Sequence, residues 1–249
     1  MTISPERFHL IRLESCRSTN DFIRENLARL QADLPLMVCA GGQSSGRGRE
    51  GRGWFSAPGL GLYVTFAFRL VDARRLSLLS LVSGVAVCDM LADWTGREFV
   101  LKWPNDVLGG GKKVAGILCE NMINGDVATC LAGVGVNLNQ RAGDFPPELR
   151  TRAASLRMLT GREWPVAEGC ERLAAVLASW LRRLAAGAAD IVLERARELS
   201  RSFLGREVRF HHGGRACSGV YRGLADDGGL LLETDGGQRT VFYGDEISG

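Results

Sequence analysis

Residues 41–54 hold the strongest chemical pattern in the chain: six glycines interleaved with three arginines and closed by a tryptophan. Glycine lets backbone N–H groups approach an anion closely, and arginine presents a fixed fork of donors that matches carboxylate or phosphate. A flexible linker is the alternative, but a glycine-serine linker needs neither three arginines nor a tryptophan. The pattern therefore favours a loop that orders around a carboxylate or phosphorylated ligand.

A second group of reactive side chains lies at residues 102–106 and at the lysine pair Lys112 and Lys113. Lys113 follows three glycines and opens an apolar stretch with the pattern of a strand, so a rigid element would hold its ammonium group. A fixed cation can hold a carboxylate beside a nucleotide phosphate and stabilise the charge that develops on transfer. A solvated turn lysine is the competing interpretation, and the residues alone weigh the two equally.

Composition excludes several other classes of protein. The 249 residues are 45% hydrophobic and 24% charged, which is ordinary for a soluble globular protein, and a net charge of +3 is too weak to indicate a nucleic-acid partner. The longest apolar stretch, residues 75–89, is too short to span a bilayer, and the first 13 residues lack the apolar core of a signal peptide. We therefore expect a cytoplasmic protein with no membrane partner.

Cysteine and histidine give no pattern of a metal centre. The seven cysteines are scattered and odd in number, which is typical of reduced, mostly buried thiols in the cytoplasm. The three histidines lie far in sequence from the glycine-arginine loop and from Lys113, which disfavours a histidine zinc site or a Ser-His-Asp triad. His211 and His212 are adjacent, so on a strand they would point to opposite faces, and we interpret them as surface residues.

Periodicity predicts the elements that would position these residues. Ser18 is a candidate helix N-cap with Asp21 in the capping-box position, and helical spacing continues to Leu30. Glycine-punctuated short strands after residue 203 suggest a small β-barrel. Periodicity indicates a mixed α/β or α+β domain but leaves the strand order open. The predicted strands are 8–13, 36–40, 60–68, 99–103, 114–120 and 127–136, and the later helices are 76–94, 166–186 and 191–199.

Five segments in order, with similar spacing, resemble biotin protein ligases. They are residues 18–20, 43–55 with 59–63, 102–106, 113–118 and 133–137. The stretch from residue 203 resembles the small terminal barrel of that family, so the resemblance covers nearly the whole chain. It implies an α+β fold: a mixed, largely antiparallel sheet backed by helices in a catalytic domain (residues 1–202), plus a small C-terminal SH3-like β-barrel (residues 203–249).

The resemblance implies a ligase that activates biotin with MgATP to biotinyl-5′-AMP. Biotin then passes to one lysine of a biotin carboxyl carrier protein or domain. Two alternatives stay open: a lipoate or octanoate ligase, and a non-catalytic biotin sensor that regulates transcription. Polar residues 18–20 suit the ureido ring of biotin, which a lipoyl group lacks. Only seventeen residues precede Ser18, too few for the winged helix of some family members, so we expect no specific nucleic-acid partner.

The resemblance also assigns catalytic residues. Lys113, rather than Lys112, immediately precedes Val-Ala-Gly. Arg47 matches a residue that folds over biotin and the acyl-adenylate. Asp106 could orient Lys113, assist deprotonation of the acceptor lysine or help to hold Mg²⁺, although Asx residues after proline are also common turn formers. Glu50 stands where a further arginine is often found, so the loop is less basic than in many relatives.

Binding roles extend to a larger set of residues. Ser18, Thr19, Asn20 and Gln43 match one end of the biotin pocket, although Ser18 could simply cap its helix. Gly116 and Gly133 could instead be small because packed strands require it, and Trp54 could instead fill the core. We expect no metal ligands fixed by the protein itself, and an exposed strand of the sheet could mediate either homodimerisation or carrier docking. The expected ligand contacts are Ser18, Thr19, Asn20, Gln43, Gly46, Arg47, Gly48, Arg49 and Arg52 from the first half of the chain, then Trp54 and Asn137 near the adenine or loop, Lys102 and Lys113 near the phosphates, Asn105, and Gly116 and Gly133 beneath the flat bicyclic ligand.

Overall fold

A seven-stranded sheet forms the centre of the protein. The structure is a computed structural model that describes residues 8–70, 73–124, 127–212, 215–234, 237 and 239–242. The strand order is β1-β2-β3-β7-β6-β5-β4, with β1 and β2 parallel and the other neighbours antiparallel. The mixed, largely antiparallel sheet is therefore confirmed. The strands are β1 (His9–Leu13), β2 (Leu36–Ala40), β3 (Gly61–Leu70), β4 (Val100–Lys102), β5 (Asp106–Gly109), β6 (Lys112–Asn124) and β7 (Val127–Asn137).

Helices cover the two faces of this sheet unequally. The helices are α1 (Thr19–Leu30), α2 (Leu79–Thr95), α3 (Leu156–Thr160), α4 (Val166–Ala185) and α5 (Ala189–Leu199). Alternate side chains of β3 and β7, such as Val64, Phe66 and Val134, join α2, α4 and α5 in the main core. Among the described residues, the helix that packs on the opposite face is α1, in a small apolar cluster around Ile23. Because one short helix cannot cover seven strands, the rest of that face is left for a cavity.

The start of α1 follows from its sequence. The Ser18 side chain accepts a hydrogen bond from the backbone N–H of Asp21 at 3.5 Å, which confirms the predicted N-cap. The Asp21 carboxylate binds arginines, as described below. Ile23 and Leu30 are buried against the sheet, and the polar residues of the first turn therefore face the cavity edge.

The central helix α2 is almost entirely apolar and ends at Gly96, whose left-handed φ of 67° is typical of a helix C-cap. By length and composition the helical stretch Arg75–Thr95 could cross a membrane, but 67% of its most apolar window is buried inside the protein. The buried core helix of a globular domain can have the same length and apolar composition as a membrane-spanning helix. This helix is therefore only weak evidence for a membrane partner.

The hairpin of β5 and β6 contains an irregularity that matters for the site. Gly110 and Gly111, with φ values of 58° and 77°, make the turn between these two strands, a conformation that glycine adopts readily. The pairing shifts by one residue between Val107 and Leu108, so Leu108 faces Lys113. This β-bulge turns Lys113 onto the sheet face that carries Asp106. The sequence had predicted no strand at β5.

A second, smaller sheet follows α5 and contacts the seven-stranded part of the protein. Its strands are β8 (Glu207–His212), β9 (Arg215–Leu224), β10 (Leu230–Glu233) and β11 (Arg239–Phe242), in the order β11-β10-β9-β8. The indole of Trp103 donates to the carbonyl of Gly228 at 3.1 Å, which ties the small sheet to the segment before Asp106. Closure of these strands into a barrel stays a prediction. His211 and His212 lie in β8, but their side chains, the turn 213–214 and most of the turn 235–237 lie outside the described residues.

None of the seven cysteines forms a disulfide with another in the described part of the chain. Burial raises the pKa of the Cys119 and Cys130 thiols to about 12, so both stay protonated and are poor nucleophiles at neutral pH. These features agree with the expectation of reduced thiols with a packing role.

Candidate active site

A cavity of about 600 Å³ opens on the sheet face that α1 leaves uncovered. Its walls come from the start of α1, the glycine-arginine loop, strands β5 to β7 and residues 145–153. Of the site residues expected from sequence, Gly46 alone is missing from the lining. Those that line the cavity are Ser18, Thr19, Asn20, Gln43, Arg47, Gly48, Arg49, Arg52, Trp54, Lys102, Asn105, Asp106, Lys113, Gly116, Gly133 and Asn137.

Lys113 and Asp106 form an ion pair in one wall of the cavity. Lys113 Nζ lies 2.5 Å from Asp106 Oδ1, and the Asp106 side chain is only 1% exposed whereas that of Lys113 is 31% exposed. The carboxylate therefore fixes the ammonium from the protein side and leaves its other N–H donors for the cavity. Lys113 also lies 5.6 Å from the centre of the Trp54 ring, within cation–π range.

The backbone of Lys113 is held as firmly as its side chain. Its N–H donates to the carbonyl of Arg152 at 2.8 Å, and its carbonyl accepts from the N–H of Ala154 at 2.9 Å. Asn137 supports the same segment by donating to the carbonyl of Ala154 at 3.0 Å. The Asn137 amide therefore has a structural task, the alternative that sequence left open beside a contact with adenine.

A chain of polar side chains crosses the opposite end of the cavity. Gln43 Oε1 accepts from the Thr19 backbone N–H at 2.8 Å, and the hydroxyl oxygens of Thr19 and Thr65 are 2.7 Å apart. Thr65, which is fully buried, donates to Asn20 Oδ1 at 2.5 Å, and Asn20 Nδ2 donates to Glu120 at 2.7 Å. Fixed hydroxyl and amide groups of this kind suit a ligand with both N–H donors and a carbonyl acceptor.

The glycine-arginine loop, residues 41–54, is an ordered hairpin. Arg47 and Gly53 form an antiparallel bridge, and the backbone N–H of Trp54 donates to the carbonyl of Gly46 at 2.8 Å. The Gly48 amide donates to the Arg52 carbonyl at 2.7 Å, so it is used within the loop rather than being offered to an anion as expected. Among the described residues Glu50 is the sole non-glycine with positive φ, at 55°, which marks the tip of the hairpin.

Arg47 joins this loop to the sheet through a ring of four alternating charges. Arg47 Nη2 lies 2.9 Å from both Asp21 Oδ1 and Glu120 Oε2. Arg24 closes the ring at 2.6 Å from Asp21 and 2.5 Å from Glu120. The ring has no net charge, so what Arg47 offers the cavity is directed hydrogen bonding more than an unbalanced positive charge.

Three glycines form the floor of the cavity, and side chains cover them. A Cβ on Gly135 would lie 2.3 Å from the Trp54 indole nitrogen, and one on Gly116 would lie 2.9 Å from the same ring. A Cβ on Gly133 would lie 2.3 Å from Asn20 Oδ1. In this structure Gly116 and Gly133 thus make room for protein side chains, where sequence had placed a flat ligand.

Several polar atoms of the cavity wall are buried and have no hydrogen-bond partner within the described part of the chain. They are the donors Arg47 Nε and Trp54 Nε1 and the acceptor Asn105 Oδ1. Buried polar groups are nearly always satisfied, because an orphaned group costs about 1–3 kcal/mol. These atoms therefore indicate a ligand that supplies both acceptors and a donor.

Two family models match the chain. Residues 13–137 match the biotin/lipoate A/B protein ligase family, and residues 203–248 match the biotin protein ligase C-terminal domain. The first match spans the polar chain, the glycine-arginine loop, Asp106 and Lys113.

The chain belongs to the biotin/lipoate A/B protein ligase family.

Individual relatives agree with this assignment. The bifunctional ligase/repressor BirA of Bacillus subtilis is 31% identical over 95% of this chain and 73% of its own length. The biotin–[acetyl-CoA-carboxylase] ligase of Mycobacterium tuberculosis is 32% identical over 85% of this chain and 78% of its own. The biotin protein ligase of Aquifex aeolicus, solved with biotin and ATP, superposes with a TM-score of 0.81 at 31% identity, covering 96% of this chain and 97% of that structure. The comparisons do not favour a lipoate ligase or a non-catalytic regulator over a biotin ligase.

Sequence reasoning missed three residues that organise the ligase site. Thr65 lies within the alternating pattern of β3, where a buried threonine looks like any other core position. Asp21 was assigned to the helix cap, and Glu120 ended a predicted strand. Thr65 contacts Thr19, which lies 46 residues away along the chain, and Glu120 contacts Arg24 and Arg47, which lie 96 and 73 residues away. Asp21 contacts Arg47 of the loop, so the tertiary fold is needed to bring all these groups together.

We expect Thr65→Val to lower the stability of the ligase and to weaken its binding of biotin. Valine has nearly the same shape but cannot donate to Asn20, so a buried acceptor is left unsatisfied, and we expect a loss of about 1–3 kcal/mol in the free energy of unfolding. Because Asn20 faces the cavity, KM for biotin should rise several-fold. Urea denaturation and initial-rate kinetics would measure the two effects.

Thr95→Val is the matched control for this variant. The Thr95 hydroxyl donates to the carbonyl of Leu91 at 2.7 Å on the last turn of α2, away from the cavity. It should lose stability without a change in KM for biotin. If Thr65→Val also left KM unchanged, the polar chain would have only a structural role.

Proposed function

We propose that the chain activates biotin with ATP and transfers it to a lysine of a biotin carboxyl carrier protein. The observation that carries this proposal is the placement of Lys113 in the same cavity as the polar chain and Arg47. One end of the cavity can recognise a ureido ring, and the other can stabilise charge on a carboxylate and a phosphate. The names of the relatives, which include biotin–[acetyl-CoA-carboxylase] ligases, support the same reaction.

In the first step a carboxylate oxygen of biotin attacks the α-phosphorus of ATP. The new P–O bond forms as the bond to the β-phosphate breaks, and pyrophosphate leaves. Lys113, held at 2.5 Å by Asp106, would donate to the carboxylate and α-phosphate oxygens as negative charge shifts between them. Pre-organisation by the β-bulge and by the backbone hydrogen bonds of Lys113 to Arg152 and Ala154 lets the ammonium act without reorganising.

Mg²⁺ would accompany the triphosphate. Within the described residues no group of three His, Cys, Asp or Glu side chains is placed to hold a metal ion. Magnesium commonly takes its ligands from substrate phosphates, water and one or two carboxylates. The donor set of this cavity therefore fits an ion that arrives with ATP, and Asp106 is the carboxylate nearest the Lys113 side of the site.

In the second step the ε-amine of the acceptor lysine attacks the carbonyl of the mixed anhydride. The new C–N bond replaces the C–O bond, AMP leaves, and the amine loses a proton. Asp106 is a candidate to receive that proton, because it is a buried carboxylate beside the reacting centre. The glycine-arginine loop would keep water from the anhydride until the carrier arrives.

The remaining assignments extend this proposal to the whole molecule. Residues 1–202 would form the catalytic domain and residues 203–249 an SH3-like barrel, supported by the separate sheet from β8 onward and by the match at 203–248. The outer strands β1 and β4 leave two sheet edges where a carrier domain or a second copy could add. A cytoplasmic location and the lack of a specific nucleic-acid partner stay predictions.

The decisive experiment incubates the purified chain with MgATP and biotin, lipoate or octanoate in parallel. Mass spectrometry should detect biotinyl-5′-AMP and neither of the other acyl-adenylates. Addition of a biotin carboxyl carrier domain should then produce a single mass increase that streptavidin recognises. An adenylate formed only from lipoate or octanoate would refute the proposal.

A further inference from the structure

Glu120 lies outside the cavity but touches a side chain that lines it. It belongs to β6, on the same sheet face as Gly116, and its side chain is 25% exposed. Arg47 reaches it from the loop 73 residues earlier and donates to both of its oxygens, at 2.9 and 3.1 Å. The contact therefore joins the glycine-arginine loop to strand β6, and it depends on the negative charge of Glu120.

The geometry of the Arg47 guanidinium shows which donors remain. Nη2 is shared by Glu120 and Asp21, and Nε is buried without a partner within the described part of the chain. A donor left unsatisfied inside a wall is costly unless a ligand accepts from it. Held at Nη2 by two carboxylates, Arg47 has a fixed orientation in which its other N–H groups can serve an anion.

Glu120 is also the point where the loop meets the polar chain. Asn20 Nδ2 donates to Glu120 Oε2 at 2.7 Å, and Asn20 accepts from Thr65. One carboxylate thus fixes both an amide at the ureido end of the cavity and a guanidinium of the loop. Neutral glutamine at this position could accept from one of these partners but would present an N–H group to the other.

We propose that Glu120 is a positioning residue that orients Arg47 for retention of the acyl-adenylate. This inference rests on the proposed function and adds to it a residue that does not touch the substrate. Asp21 shares the task from the first turn of α1, and Arg24 balances the two carboxylates from the outer side.

The test measures release of biotinyl-5′-AMP from Glu120→Gln by rapid filtration. We expect release about tenfold faster than from the parent, the change that corresponds to loss of one charge-assisted hydrogen bond to a partly exposed side chain. Glu25→Gln, the same chemical change at an exposed position of α1, should leave release unchanged. Thermal unfolding of both variants would be recorded alongside.

A double-variant cycle separates positioning from general stability. If Glu120 acts through Arg47, Glu120→Gln should change release less than about twofold in an Arg47→Ala background, because the residue to be oriented is gone. An equal effect in both backgrounds, or no faster release from an otherwise active Glu120→Gln, would overturn the inference alone. Failure of the parent to form any biotinyl-adenylate would instead overturn the proposed function, and with it the reaction that Glu120 serves.

Discussion

Replacement of Lys113 by alanine should lower the rate of biotinyl-adenylate formation by about 10²–10³-fold, the usual effect of removing one pre-organised charge-stabilising donor. The variant should stay folded, because the Lys113 side chain is 31% exposed and the backbone bonds to Arg152 and Ala154 do not depend on it. Biotin-dependent pyrophosphate release would measure the rate, and circular dichroism would measure the fold.

Lys112 offers a matched control one residue away. Its ammonium lies 3.4 Å from the carbonyl of Arg150 and does not line the cavity. Lys112→Ala should therefore keep nearly the parental rate. Equal losses in the two variants would indicate that a local disturbance of the hairpin, and not the Lys113 charge, limits the reaction.

Local sequence signals could predict much of this site because they act over a few residues. Ser18 caps α1 through an atom three residues away, and Gly110 and Gly111 make a turn that needs positive φ. The sequence pattern predicted both β3 and β7 as strands but left their places in the sheet open, and the structure puts them side by side near its middle. The glycine-arginine loop was recognised from composition alone.

The orientation of Lys113 could not be predicted in this way. Strict alternation counted back from Gly116 would place Val114 on the cavity face and Lys113 on the opposite, core face. The bulge between Val107 and Leu108 reverses this arrangement. A bulge adds one residue on one strand and leaves no trace in a pattern of period two, so only the paired register shows it.

Glycine gave a true but ambiguous signal. Gly116 and Gly133 were expected to admit a flat ligand, and the structure places Trp54 and Asn20 above them. A glycine in a strand indicates that another group approaches the backbone closely, but the sequence does not distinguish a ligand from a protein side chain. Glu120 gave no local signal at all, because its role depends on Arg47, a partner 73 residues away along the chain.

Replacement of Arg49 by alanine should make the ligase release its reactive intermediate. Arg49 lines the cavity at the start of the tight turn Arg49–Gly51, so it lies on the part of the loop that would cover an anhydride. Loss of a charge-assisted contact to phosphate is worth about 1.5–3 kcal/mol, which corresponds to roughly 10–100-fold faster release. Free biotinyl-5′-AMP acylates any accessible amine, so unrelated lysines should become biotinylated.

Streptavidin blots of a bystander protein such as serum albumin, with the carrier domain absent, would measure this leakage. Arg17→Ala is the control, because Arg17 is exposed, does not line the cavity and contacts the loop through its backbone carbonyl, which accepts from Ser45 at 2.9 Å. That variant should label the bystander no more than the parent does. The contrary result would be an Arg49→Ala variant that forms the adenylate at a normal rate and retains it as long as the parent does. The proposal that Arg49 retains the adenylate would then be wrong, and the backbone bridge between Arg47 and Gly53 would have to keep the loop over the cavity without it.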